Sequence, residues 1–194
     1  MSLLQARQLA ELSASGAVIG VLGGAVVGGL AAFAGQPAGW ALTGAVALAV
    51  PLALLGAAYG VLVGLGWAKP GMFTPVALLW LVGYPFARLA HEMMTPALLG
   101  GNPAPPDDVV GFLIYQALIS LGFAIGFIWL YERITPAWLK QIKDHNPYAQ
   151  RVYARYLAHA EQVWAAREYR RARRRGSPPA TSPGAPRTRS RRSS

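Results

Sequence analysis

The chain contains no cysteine, so it forms no disulfide and offers no thiolate to a metal or a covalent intermediate, and nothing about redox compartment follows. Charge is scarce too. Only 13% of the 194 residues are Asp, Glu, Lys or Arg, against 54% hydrophobic, a balance foreign to soluble globular domains. No charged residue falls between Glu11 and Lys69, from Pro70 to Ala87, or from Val109 to Tyr131. A bilayer core takes about 20 apolar residues per helix, so these stretches supply four spans. They cover residues 16–34, 40–67, 73–90 and 109–131. The middle of each span lacks Asp, Glu, Lys, Arg and His. Proton relays and coupled transporters need such groups, and a bis-histidine haem needs paired intramembrane histidines. The expectation is a protein that is not an enzyme, with no cofactor and no metal.

What is abundant is glycine, and it is periodic. Gly16, Gly20, Gly24 and Gly28 recur every fourth residue in the first span, Gly56, Gly60 and Gly64 in the second, and Gly122 and Gly126 form a pair in the fourth. Residues four apart stack on one helix face, so each set is a bare strip of backbone. An interior glycine costs a helix roughly 1 kcal/mol relative to alanine. In lipid that cost is offset when small residues let another helix approach closely. The short, turn-rich segment of residues 35–39 makes the first two spans antiparallel neighbours. Their strips predict glycine-zipper packing, backbone against backbone. Pairing of each strip with another copy of the chain is the competing arrangement.

The organisation that follows is an all-α integral membrane protein. Residues 1–15 form an interfacial segment, 16–131 a four-helix transmembrane domain, 132–175 an amphipathic basic helical region, and 176–194 a disordered Arg, Pro and Ser-rich tail. Ala32-Phe33-Ala34 fits a signal-peptidase pattern. The apolar stretch is long for a signal peptide, however, and Arg7 is its only upstream cation, so an uncleaved anchor is the favoured reading. Pro51 and Pro85 predict kinks. A loop is predicted from Thr95-Pro96 to Pro106, and a separate interfacial helix over residues 136–143. Arg7, Lys69, Arg133, Lys140 and Lys143 fall on one side of the membrane, and only Arg88 on the other. The positive-inside rule then makes both termini cytoplasmic. The composition suits a bacterial cytoplasmic membrane.

Two groups of polar residues are candidate sites. Arg88, His91, Glu92, Asp107 and Asp108 gather near the membrane surface on the extracytoplasmic side. They could bind a metal or an anionic head group, and His91 with Met93 and Met94 could hold copper. No repeated ligand spacing supports a metal, and Arg88 can simply snorkel, so the cluster reads first as solvated and structural. The second group lies on a long helix that starts near Tyr148. Its seam of Ala149, Tyr153, Tyr156, Ala160 and Val163, widened by Trp164, is interleaved with cations including Arg170, Arg171, Arg173, Arg174 and Arg175. Anionic lipid, nucleic acid or an acidic protein face could dock there.

The leading functional expectation is a non-catalytic accessory, assembly or scaffold subunit of a larger membrane complex, bound to other membrane subunits or to itself. A small homo-oligomeric pore or transporter is the alternative. A further alternative is a membrane tether that holds ribosomes or lipid through the basic tail.

Overall fold

The computed structural model describes residues 2–69 and 71–175; the tail of residues 176–194, expected to be disordered, lies outside them. The described chain is helical throughout, without strands. Its elements are α1 (Leu3–Phe33), α2 (Ala38–Leu65), α3 (Phe73–Leu98), α4 (Val109–Ile142) and α5 (Pro147–Arg174). The first four are each long and apolar enough to cross a membrane. The described residues up to Tyr156 form one compact unit, and those from Leu157 on another.

Three boundaries differ from the sequence expectation, each for a local reason. No helix break separates residues 1–15 from the first span. One helix starts at Leu3, where Ser2 and Gln5 form a reciprocal capping box, and no glycine or proline interrupts it before Ser15. The third helix absorbs Thr95 and Pro96 and ends at Leu98. It stops in a Schellman motif: Gly100, at φ +81°, donates to the Ala97 carbonyl, and Gly101 donates to that of Pro96 at 2.9 Å. Glycine takes that left-handed position without a Cβ penalty. The fourth helix runs through Pro136 to Ile142, so residues 136–143 are not a separate helix. Pro136 removes one backbone donor, and packing on both sides compensates: Thr135 and Leu139 are fully buried.

The four long helices pack by two different means. The α1–α2 pair meets backbone to backbone along the small residues. The partners step antiparallel, with Gly16 at Gly56, Gly20 at Leu52, Gly24 at Ala49 and Gly28 at Ala45. The α3–α4 pair, with α2, instead interlocks aromatic rings. Tyr84 and Phe123 stack at 4.7 Å, Trp80 and Phe127 lie 5.1 Å apart, and Tyr59 meets Tyr131 edge-on at 4.9 Å. Such pairs add about 0.5–1.5 kcal/mol each beyond area burial. Of the neighbouring pairs, α1 and α4 share the thinnest seam.

Candidate functional site

The predicted helix-packing glycines divide into two kinds when each is asked what a Cβ would meet. At Gly16, Gly20 and Gly56 it would fall on backbone of the facing helix, and at Gly28 on the Ala45 methyl. At Gly24 it would lie 2.5 Å from the Ala49 Cα, and at Gly60 2.7 Å from the Ser13 Cα. At Gly64 it would meet only the side-chain tips of Leu9 and Leu12, at 3.1 Å. The contrast is on α4. A Cβ at Gly122 or Gly126 finds nothing within 4 Å, because no other helix of the described chain reaches them. Both instead floor an apolar groove of about 470 Å³ between α1 and α4, with Gly23 opposite and Val26, Phe123 and Leu130 as walls.

The five polar residues named from sequence are not one site. Arg88, His91 and Glu92 come together on α3. Arg88 donates from Nη2 to Glu92 Oε1 at 2.6 Å and reaches His91 Nδ1 from Nη1 at 2.6 Å. A guanidinium can only donate, so His91 accepts at Nδ1 and is neutral, with its proton on Nε2. That nitrogen faces Gly44 of α2, 3.5 Å from where a Cβ would stand. Asp108 instead caps α4, accepting from the Gly111 amide at 2.8 Å. Among the described residues neither Asp107 nor Asp108 pairs with Arg88, and no three His, Asp or Glu side chains gather as metal ligands.

Beside this triad lies a second cavity, of about 330 Å³, to which all four long helices contribute. Its polar lining is Tyr84, Arg88, Tyr115 and Gln116, set between Val27, Leu48 and Ile119. Tyr84 and Gln116 are 3% and 6% exposed. Read from sequence, Gln116 is only one of several polar residues in apolar spans, and nothing in its spacing ties it to Arg88. The link appears once α3 and α4 run antiparallel and Tyr84 stacks on Phe123.

At the other end of the bundle a network missed by the sequence reading joins α1 to the α4–α5 corner. Asn146 is 1% exposed. Its Oδ1 accepts from the Tyr148 and Ala149 amides, and its Nδ2 donates to the Gln8 carbonyl at 2.8 Å and Glu11 Oε2 at 3.0 Å. His145 Nε2 lies 2.7 Å from Glu11 Oε1, and Trp138 donates to the Glu11 carbonyl at 3.0 Å. Glu11 stands outside the charge-free stretch, and the hydrogen bonds from His145 and Asn146 hold its carboxyl below the ordinary carboxylate range. The legible signal was Asn146-Pro147 itself, an N-cap residue followed by proline at the first helical position. Deeper in, Ser15 and Thr135 share a buried hydroxyl contact of 3.1 Å.

The docking residues proposed on α5 also separate. Tyr153 and Tyr156 pack on the core of the first unit. In the second unit Trp164 is 66% exposed, and Arg170, Arg171, Arg173 and Arg175 are exposed too; Arg174 closes the helix. No family model, curated protein or solved structure matches the chain.

Proposed function

We propose that this protein is a non-catalytic accessory subunit of a larger membrane complex, and that it receives a transmembrane helix of a partner protein in the α1–α4 groove. The observation that carries this reading is the bareness of Gly122 and Gly126. Each costs α4 roughly 1 kcal/mol in helix propensity, and among the described residues no close approach offsets that cost. Between helices in lipid there is no hydrophobic driving force, so association depends on close contact at small residues. A pair of glycines four apart, flanked by Phe123 and Leu130, offers that contact to an incoming helix.

In this reading the glycine-zipper faces of α1 and α2 hold the scaffold rigid while α4 offers the partner face. The distribution of Lys and Arg supports cytoplasmic termini, and the composition a bacterial cytoplasmic membrane. The basic part of α5 is then available on the cytoplasmic side to an anionic surface.

The test is mild-detergent purification of tagged protein from its native membrane, with mass photometry, mass spectrometry and a photo-crosslinking residue at Val26. The expected result is a stoichiometric foreign subunit whose transmembrane segment crosslinks at Val26 and is lost in Gly122→Leu/Gly126→Leu, while that variant melts at the wild-type temperature. Recovery of a lone chain, or of a homogeneous self-assembly, overturns the proposal. The second of these outcomes would favour the pore reading.

A further inference from the structure

The cavity among Tyr84, Arg88, Tyr115 and Gln116 is a chemically distinct place from the apolar groove. We infer that it binds the singly charged phosphodiester of a membrane lipid headgroup. The donors come first. A guanidinium carries five N–H groups. His91 and Glu92 take one each, leaving Arg88 with three. Gln116 is 94% buried by its 6% exposure, and among the described residues its amide has no protein partner, though its side chain lines the cavity. Tyr84 is as deeply buried, and its hydroxyl has none either. Two polar groups on deeply buried residues, open to the cavity and without a protein partner, form beside the Arg fork a site that asks for oxygen acceptors.

Charge selects among such acceptors. Glu92 already balances Arg88, and His91 is neutral, so the cluster is close to electroneutral. It tolerates one added negative charge better than two. A phosphodiester fits that limit, whereas a phosphate monoester brings a larger uncompensated charge.

Depth and shape point to lipid. Helix α4 has 34 residues and is about 51 Å long at 1.5 Å per residue, exceeding the hydrocarbon core by about 20 Å. Gln116 lies seven residues into α4, about 10 Å from its end. The charged residues of α4, Glu132, Arg133 and Lys140, lie at its other end, so Gln116 sits about 10 Å inside the hydrocarbon, a depth that a headgroup phosphate reaches beside Arg88, which stands near the end of its own span. Tyr115, 60% exposed, stands at the mouth, and Val27, Leu48 and Ile119 offer apolar wall to the first methylenes of an acyl chain.

The full-length protein is delipidated in detergent and titrated with phosphatidylglycerol, with the diacylglycerol of the same chains, or with inorganic phosphate. Native mass spectrometry and thermal stabilisation are followed together. Wild type is expected to retain one phosphatidylglycerol per chain and to be stabilised by it but not by the other two. Gln116→Leu should weaken that binding about tenfold, and Tyr84→Phe, which deletes one oxygen and keeps the ring packing, should do so to a similar extent. Both variants should melt as wild type before lipid is added. Equal stabilisation by diacylglycerol, or unchanged binding in Tyr84→Phe, overturns the site. Equal stabilisation by inorganic phosphate overturns its assignment to lipid.

Discussion

Replacing Gly24 by alanine adds one methyl group at the α1–α2 contact, and the cost can be worked from the backbone it meets. The new Cβ would stand 2.5 Å from the Ala49 Cα and 2.6 Å from its backbone nitrogen. Ordinary contact begins near 3.4 Å, and since the obstacle is main chain, no rotamer change relieves it. The helices must separate by about 0.9 Å locally. A gap of 0.5–1 Å forfeits about a quarter to a half of the dispersion well for every atom pair on either side. Gly20 against Leu52 and Gly28 against Ala45 are near enough to share the loss. Overpacking of this kind costs about 1–3 kcal/mol. For a chain of this size that corresponds to a melting temperature about 2–12 °C lower. The internal control is Gly122→Ala, whose Cβ meets nothing within 4 Å and which raises helix propensity by about 1 kcal/mol at most. Thermal unfolding of both variants in one detergent, followed by circular dichroism, makes the comparison. A Gly24→Ala protein as stable as wild type, or a Gly122→Ala protein destabilised as much as Gly24→Ala, would refute the reasoning.

Three further outcomes follow from the polar contacts. Ser15→Ala and Thr135→Val each leave a buried hydroxyl unpaired, at about 1–3 kcal/mol apiece; the double variant should cost less than the sum, and a double-mutant cycle by thermal unfolding measures the difference. Asn146→Ala removes the α5 N-cap, worth about 1 kcal/mol, together with both bonds to α1, and should increase amide exchange at Tyr148 and Ala149 before it affects the α1–α2 contact. Glu11 has a depressed carboxyl pKa, so its contribution is fully present above its unfolded value near 4.5 and is lost as pH falls through the lower folded value. Arg7, His145 and Asn146 face it. The stability difference between wild type and Glu11→Gln should therefore shrink as pH falls below about 4.5; a difference unchanged from about pH 5 down to about 3 would contradict it.

The spans were legible because lipid imposes a composition, and composition survives in a single sequence. Charge-free stretches gave four helices, and the antiparallel α1–α2 hairpin followed from the five-residue turn. Helix ends were harder. Pro96 and Pro136 are breakers in a soluble chain, yet the structure carries the helix through both. A proline costs one hydrogen bond and a local clash; at Pro136 the burial of Thr135 and Leu139 offsets that cost, and at Pro96 the helix ends two residues later. Gly100-Gly101 was the better marker, since it terminates α3 rather than occupying the middle of a loop. The spacing that flagged Gly122 and Gly126 is the same as in α1, and spacing alone does not reveal whether another helix of the chain arrives. The grouping of Arg88 with Gln116, or of Glu11 with Asn146, depends on residues far apart in sequence, and no local pattern encodes such a meeting.

The two packing modes account for where the bundle leaves open space. Small residues bring α1 and α2 into backbone contact, which leaves no side-chain layer to yield. Aromatic rings lock α3 to α4, and Tyr59 ties α2 to that stack. The remaining seam, α1 with α4, is pinned at one end by Ser15–Thr135 and by the Glu11–Asn146 network. Beyond those pins lie Gly20, Gly23 and Val26 on one side and Gly122, Gly126 and Leu130 on the other, with space between them. In the proposed function, a helix entering there would load the two helices that the pins hold together and leave the α1–α2 contact and the aromatic stack as they are. Weakening the pins by Ser15→Ala should therefore change affinity for the proposed partner without a residue of the groove being touched, whereas weakening the α1–α2 contact at Gly24 should lower stability first.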